Sequence, residues 1–261
     1  GGMNSAGLII EELNAPGHGG VAKRSAILNE FQWVQYQLDN HSCVTEVINS
    51  TRTIGIKPLI QNLHYIIMDK HGDVAIIEII NGEPKTYHGE DVKYPVLSNN
   101  LYENSLKYLS NFSGFGGDLP LADSRDSQSR FVTIAVQLKQ HSGKVPDKEL
   151  AFHLLSGVSQ EDTQWSIVYD NKRSEVFFKG AASGKMAQFS LGSPDISHCS
   201  RYRYSDLEDC SRGGNSEEIL TPEINIQLFY RIEEDYREAN VSEQELKILR
   251  ELFLFSNDSL L

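Results

Sequence analysis

Cysteine is scarce in this chain, with Cys43, Cys199 and Cys210 the only three among 261 residues. That is too few for a disulfide framework. Cys199 and Cys210 are close enough in sequence to close a small loop in an oxidising compartment. Two free thiols in a polar loop are an equal alternative. Neither CxxC nor HExxH occurs, so metal-ligand spacing is missing and no metal or cofactor is expected. Long apolar runs are missing too, since none approaches the roughly 18 residues that a membrane span needs. Positive charge is in deficit, 24 Lys and Arg against 36 Asp and Glu, for a formal net charge of -12. Without a Lys/Arg cluster to offset it, that balance repels a phosphate backbone and makes nucleic acid a poor partner. The first residues, Gly1-Gly2-Met3-Asn4, carry neither the basic nor the apolar stretch of a leader peptide. A leading Gly also fits a scar of tag removal.

What is present suffices for a substantial core: 39% of residues are hydrophobic and 9% aromatic. Residues 7–13 (GLIIEEL) read as a strand, and 14–20 (NAPGHGG) as a turn-rich loop. Residues 26–40 place Leu28, Phe31, Val34 and Leu38 at helical spacing. A short helix is expected over 44–50. Residues 65–69 and 74–80 predict a hairpin around His71-Gly72-Asp73, with β-branched residues on both arms. An edge strand at 85–88 and a buried strand at 94–98 come next. Asn100 with Glu103 forms a capping-box pattern ahead of a helix over 101–109.

A Gly-, Ser- and Asp-rich loop spans 111–128. Helices over 130–140 and 148–158 follow, the second capped by Asp147. Three strands are expected at 165–169, 175–179 and 186–190. Residues 193–215 are polar and irregular, and two helices close the chain. One covers 222–238. The other starts at Ser242 with Glu245 as its capping partner and aligns Leu246, Leu249 and Phe253 on one face. Strands, helices, strands, helices in that order define an α+β protein with mainly antiparallel pairing. Residues 1–192 are expected to form the core, and 193–261 a loop plus helices completing the same domain.

Two strings suggest chemistry and fail on inspection. Gly180–Met186 hints at a phosphate loop, but it is one spacer short and Met186 stands where a magnesium-binding hydroxyl belongs. Its place between two strand runs makes it a hairpin turn. Gly114–Gly117 is Gly-rich without a strand–turn–helix context, so it reads as a flexible loop. No GxSxG elbow occurs.

The remaining strings point one way: GMNSAGLIIEELN from Gly2, QWVQYQLDN from Gln32, HYIIMDKHGDVAIIEIING from His64, and PVLSNN with SRF around Asn99 and Arg130. In that order and spacing, up to about Leu191, the chain resembles the choloylglycine hydrolase family. This family of linear amide C–N hydrolases includes bile salt hydrolases and penicillin V acylases. The helix string and the GFGG loop are similar to its Gram-negative members. The resemblance implies an N-terminal-nucleophile hydrolase, two antiparallel sheets sandwiched between helix layers (αββα). It implies a small-molecule acyl amide as substrate, and a periplasmic or secreted location, with a cytoplasmic one open.

The resemblance also implies roles for three residues. The backbone N–H of Asn14 and the side-chain amide of Asn99 would face the oxyanion of the tetrahedral intermediate. Arg130 would sit by the nucleophile and favour its thiolate. These residue types suit the task, because a neutral amide donates without competing for the proton and a guanidinium stays charged. By their own local sequence the three have plainer readings. Asn14 precedes Ala-Pro-Gly and fits a turn. Asn99 and Asn100 could both cap the following helix. Arg130 could be a solvated residue at a helix start, where the dipole disfavours a cation.

The departure from the family is at the front. The family's nucleophilic Cys, a second Arg and an Asp that binds the nucleophile's amine have no counterpart, so the chain is expected to begin after them. Gly1 has an amine and no side chain. None of the three cysteines falls where the nucleophile should. Strands belonging to the missing part would leave sheet edges open, which favours a homo-oligomer or a partner chain. Three functions follow: a linear amide hydrolase whose nucleophile lies outside this chain, an inactive amidase-like scaffold for binding or assembly, and a split enzyme. Trp165 and Phe115 are candidates for lining the acyl pocket, core packing being the plainer use of Trp165.

Overall fold

A computed structural model describes residues 1–17, 24–58, 61–120, 125–143, 147–191, 203–204, 218–219, 222–238, 241–244, 246–247 and 249–250. Its main sheet has five antiparallel strands in the order β1-β2-β5-β6-β7. These are β1 (Gly2–Met3), β2 (Ile9–Asn14), β5 (Leu63–Met68), β6 (Val74–Ile80) and β7 (Glu83–His88). Two tight turns set its register. After β5, the Asp69 carboxylate accepts from the backbone N–H of His71 and Asp73 (2.8 and 3.2 Å), and Gly72 takes φ 83°. After β6, Asn81 and Gly82 both have positive φ, as a two-residue Asn-Gly hairpin requires.

Side-chain alternation divides this sheet into two apolar faces. Leu8, Ile10, Leu63, Tyr65, Ile67, Ala75 and Ile77 meet Trp33 and Val34 of α1 (Glu30–Asn40) and Val44 and Val47 of α2 (Val44–Ser50). On the opposite face, Ile76 packs with Tyr102 and Leu109 of α3 (Tyr102–Leu109) and with Phe131, Val132 and Ala135 of α4 (Ser127–Gln140). A second antiparallel sheet is the meander β8 (Trp165–Asp170), β9 (Glu175–Gly180) and β10 (Met186–Ser190). Tyr169 of β8 donates its hydroxyl to Glu11 of β2 at 2.5 Å, so this sheet meets the α3/α4 side of the first. Its other face carries Phe177 under Lys148 of α5 (Lys148–Gly157), 4.7 Å from the ring centroid. Helices α1 and α2 cover one face of the main sheet, and α3, α4 and the second sheet lie on its other side. Helix α5 covers the far face of the second sheet, an α+β sandwich as expected.

Several boundaries move for local reasons. The helix predicted from 26 begins at Glu30, because Asn29 and Gln32 form a capping box there. Residues Ala26–Leu28 instead make β3, paired in parallel with β4 (Ile54–Ile56). No strand forms at 94–98, where Pro95 lacks an N–H and bends replace a ladder. The expected Asn100/Glu103 capping box does not form either. Leu101 is the N-cap of α3 and Glu103 pairs with Lys85 at 2.6 Å. Helix α4 starts three residues earlier than predicted, with Asp126 accepting from Ser129 N–H at 3.0 Å. Arg130 therefore sits a turn inside the helix and not at its start.

Asn4, from the first shared string, holds the corner between β1 and β2 to the end of α1. Its side-chain N–H groups donate to the carbonyls of Leu38 and His41 (2.8 and 2.7 Å), and its Oδ1 accepts from Ala6 and Leu8. The described residues fall into two compact units divided after Gly192. In the second, Arg203–Tyr204 pairs with Glu218–Ile219, and α6 spans Pro222–Glu238 as predicted. Phe229, Leu246 and Leu249 are buried there. Cys199, Cys210, Glu245 and Phe253 lie outside the described residues.

Candidate active site

Asn14 ends β2 opposite Leu63, while the next residue, Ala15, donates to Asn62 at 2.8 Å. Hydrogen-bonded and non-hydrogen-bonded pairs alternate along an antiparallel ladder, so the N–H and C=O of Asn14 point away from β5. The short strand β1 pairs only with Ile9 and Ile10 and does not reach them. Instead the carbonyl of Asn14 accepts from Nδ2 of Asn99 at 3.2 Å, across 85 residues of sequence. The Asn14 N–H looks out on the same side.

Asn99 lies in the loop between β7 and α3. Its Oδ1 accepts from Nη2 of Arg130 at 2.8 Å, which settles how the amide is turned. The guanidinium is half-buried on the first turns of α4. Nη1 donates to the carbonyl of Arg125 at 2.9 Å, and Gln160 lies against the group with its amide oxygen the atom able to accept. The three residues singled out from the sequence thus form one hydrogen-bonded series, Asn14–Asn99–Arg130, at the mouth of the sheet. One Nδ2 hydrogen of Asn99 is engaged with Asn14, and an amide nitrogen has a second to offer. The series therefore presents two neutral N–H donors beside a fixed positive charge.

Cys43 is not part of this cluster. It precedes α2, whose first N–H, on Val44, is bound by Asp69 just beyond the far end of β5. Asn14 stands at the Leu63 end of that strand, about 20 Å away at roughly 3.3 Å per residue. Trp165 is 57% exposed at the start of β8, which removes core packing as its use. Its ring stacks on Phe178 at 6.3 Å. Phe115 packs edge-on against Tyr94 at 5.4 Å, beneath Lys139.

Sequence reasoning missed Gln160, which nothing in its polar surroundings marks. It also missed Glu78, although a lone charge within VAIIEII signals a carboxylate in a buried strand. On β2, burial holds the Glu11 carboxyl above the ordinary carboxylate value, against the lowering effect of the Tyr169 hydroxyl. The same desolvation, with the Glu11 charge alongside, pushes the Tyr169 hydroxyl well above the usual tyrosine range.

The main antiparallel sheet thus carries paired amides and a guanidinium at one end. The chain belongs to the linear amide C-N hydrolases, choloylglycine hydrolase family, which matches residues 1–201. Among its relatives is the penicillin V acylase of Pectobacterium atrosepticum, 26% identical over 224 residues, or 70% of this chain. The chain spans 59% of that acylase's length. The solved penicillin V acylase of Agrobacterium tumefaciens superposes with a TM-score of 0.63 at 26% identity, over 74% of this chain and 66% of that one. A variant of the conjugated bile acid hydrolase of Clostridium perfringens shares the fold, with a TM-score of 0.64 at 16% identity over 84% and 75% of the two chains.

Proposed function

We propose that this chain supplies the carbonyl-activating half of a linear acyl-amide hydrolase. Asn14 N–H and Asn99 Nδ2 serve as oxyanion donors, and Arg130 both holds Asn99 and lowers the cost of a thiolate. The observation that carries this reading is the hydrogen-bonded series from Asn14 through Asn99 to Arg130, joined from three distant stretches of sequence. A thiolate adds to the amide carbonyl carbon, and the oxygen takes the negative charge between the two N–H donors. Collapse expels the amine, which takes up a proton, and leaves a thioester. Water then releases the acid and restores the thiol. The nucleophile of this reading is an N-terminal cysteine outside these 261 residues, with its own α-amine as base, since such an amine has a pKa near ~8. Substrates are acyl amides of the penicillin V, conjugated bile salt or N-acyl amino class.

The distance of Cys43 from the cluster favours a second reading for the chain by itself: a scaffold that holds an acyl amide without cleaving it. One experiment separates the two. Amine release from a panel of acyl amides is measured for the 261-residue chain and for the product of its whole natural reading frame. The hydrolase reading expects turnover by the latter, abolished when its first cysteine is changed to alanine. Ligand-induced thermal stabilisation with no turnover in either protein would leave only the scaffold.

A further inference from the structure

Helix α3 begins three residues after Asn99, and its N-cap, Leu101, has no side-chain oxygen to receive the first N–H groups. The acceptor comes from another element. Oε1 of Glu78, on β6, accepts the backbone N–H of Tyr102, the first helical residue, at 2.7 Å. Glu78 is only 1% exposed, and among the described residues no Lys or Arg pairs with it. Lys85, its neighbour on β7, turns instead to Glu103. The carboxylate is surrounded by donors: Tyr102 N–H, Nδ1 of the fully buried His64 at 3.3 Å, and the Tyr87 hydroxyl at 3.3 Å. A helix N-terminus is a favourable place for such a charge.

Tyr102 also holds the other end of the loop. Its hydroxyl donates to the Tyr94 carbonyl at 2.8 Å and accepts from the Tyr94 N–H at 3.1 Å. Its ring is enclosed by Tyr87 and Phe131, with centroids 4.8 and 6.0 Å away. The segment from Tyr94 to Leu101, which carries Asn99, is thus a loop closed at both ends by one tyrosine, and that tyrosine is tied to the central sheet by Glu78.

We infer that Glu78 is a positioning residue for the site: its buried carboxylate, acting through the Tyr102 amide, fixes the Asn99 loop so that the Asn99 side chain stays between Asn14 and Arg130. The catalytic importance of that placement rests on the function proposed above; the placement itself does not. Glu78 touches no part of the Asn14–Asn99–Arg130 series, so its effect is indirect.

The test uses the full 261-residue chain and no substrate. Amide hydrogen exchange at Tyr102 and the side-chain amide resonances of Asn99, assigned by their loss in Asn99→Asp, are compared between the parent and Glu78→Gln. The expected result is exchange at Tyr102 faster by about tenfold or more, with Asn99 signals displaced toward those of a free amide. Glu103→Ala, which removes the exposed ion pair of α3 and leaves Lys85 on the Tyr87 ring, is expected to leave Asn99 unchanged. Should Glu78→Gln fail to fold, Glu78→Asp keeps the charge, withdraws the carboxylate by one methylene and is read in the same way. Unmoved Asn99 signals in the folded Glu78 variant would overturn the inference. So would an equal displacement in Glu103→Ala, because any disturbance of α3 would then suffice. Full amide turnover in an Asn99→Ala enzyme would sink the catalytic reading and leave this placement standing.

Discussion

Asn99 has its amide oxygen on Arg130 and one amide hydrogen on Asn14, so a terminal group that could otherwise flip is set in one orientation. A fixed donor helps a developing oxyanion because no reorganisation is needed when charge appears. Arg130→Lys keeps the charge and loses the planar fork that reaches Asn99 and Arg125 together. In the nucleophile-bearing enzyme we expect kcat to drop by about tenfold or more, with KM little changed, measured by steady-state amine release. Glu11 gives a pH signature. Its folded-state carboxyl value lies above the unfolded one, so the folded chain binds the proton more tightly. Stability from this group is then largest in acid and is lost as pH rises from about 4.5 through the raised value. Glu11→Gln should remove that part of the pH slope in urea unfolding and be more stable than the parent near neutral pH. An unchanged slope would show that burial does not raise this carboxyl.

At the scale of elements, helices α1 to α5 begin in two ways, and only one is written locally. Helices α1, α4 and α5 carry Asn29, Asp126 and Asp147 at their N-caps, each accepting from its own first turn. Asp147 was legible in the sequence. Helices α2 and α3 have Cys43 and Leu101 instead, and their first N–H groups go to Asp69 and Glu78 near the β5–β6 hairpin. Such a cap depends on which strand lies beneath the helix, so the nearest local pattern, Asn100 with Glu103, pointed to the wrong acceptor. Asp126→Ala should cost about 1 kcal/mol in equilibrium unfolding and fray the turn that presents Arg130. Asn4→Ala removes a donor pair and a two-bond acceptor at the β1–β2 corner. It should cost about 2–3 kcal/mol, read as a lower denaturation midpoint with the m-value unchanged. A loss within experimental error would mean that solvent replaces those bonds.

For the whole molecule, the helices and both hairpin arms of the main sheet follow from periodicity and turn chemistry. The parallel β3–β4 pair does not, because three-residue strands are too short to show an alternation. The candidate site was legible as three residue types within shared strings. Its connectivity was not, since hydrogen bonds spanning 85 and 31 residues leave no local trace. The outward-facing backbone of Asn14 is likewise a property of ladder register, visible only once β2 is set against β5. Together these place two N–H donors and a guanidinium at one end of an antiparallel sandwich. The most direct measurement is kcat/KM for cleavage of an acyl amide by the nucleophile-bearing enzyme and its Asn99→Ala variant, with folding checked by circular dichroism. Loss of one oxyanion donor predicts a fall of about 10²–10³, mostly in kcat. A folded variant that cleaves as fast as the parent would contradict the account.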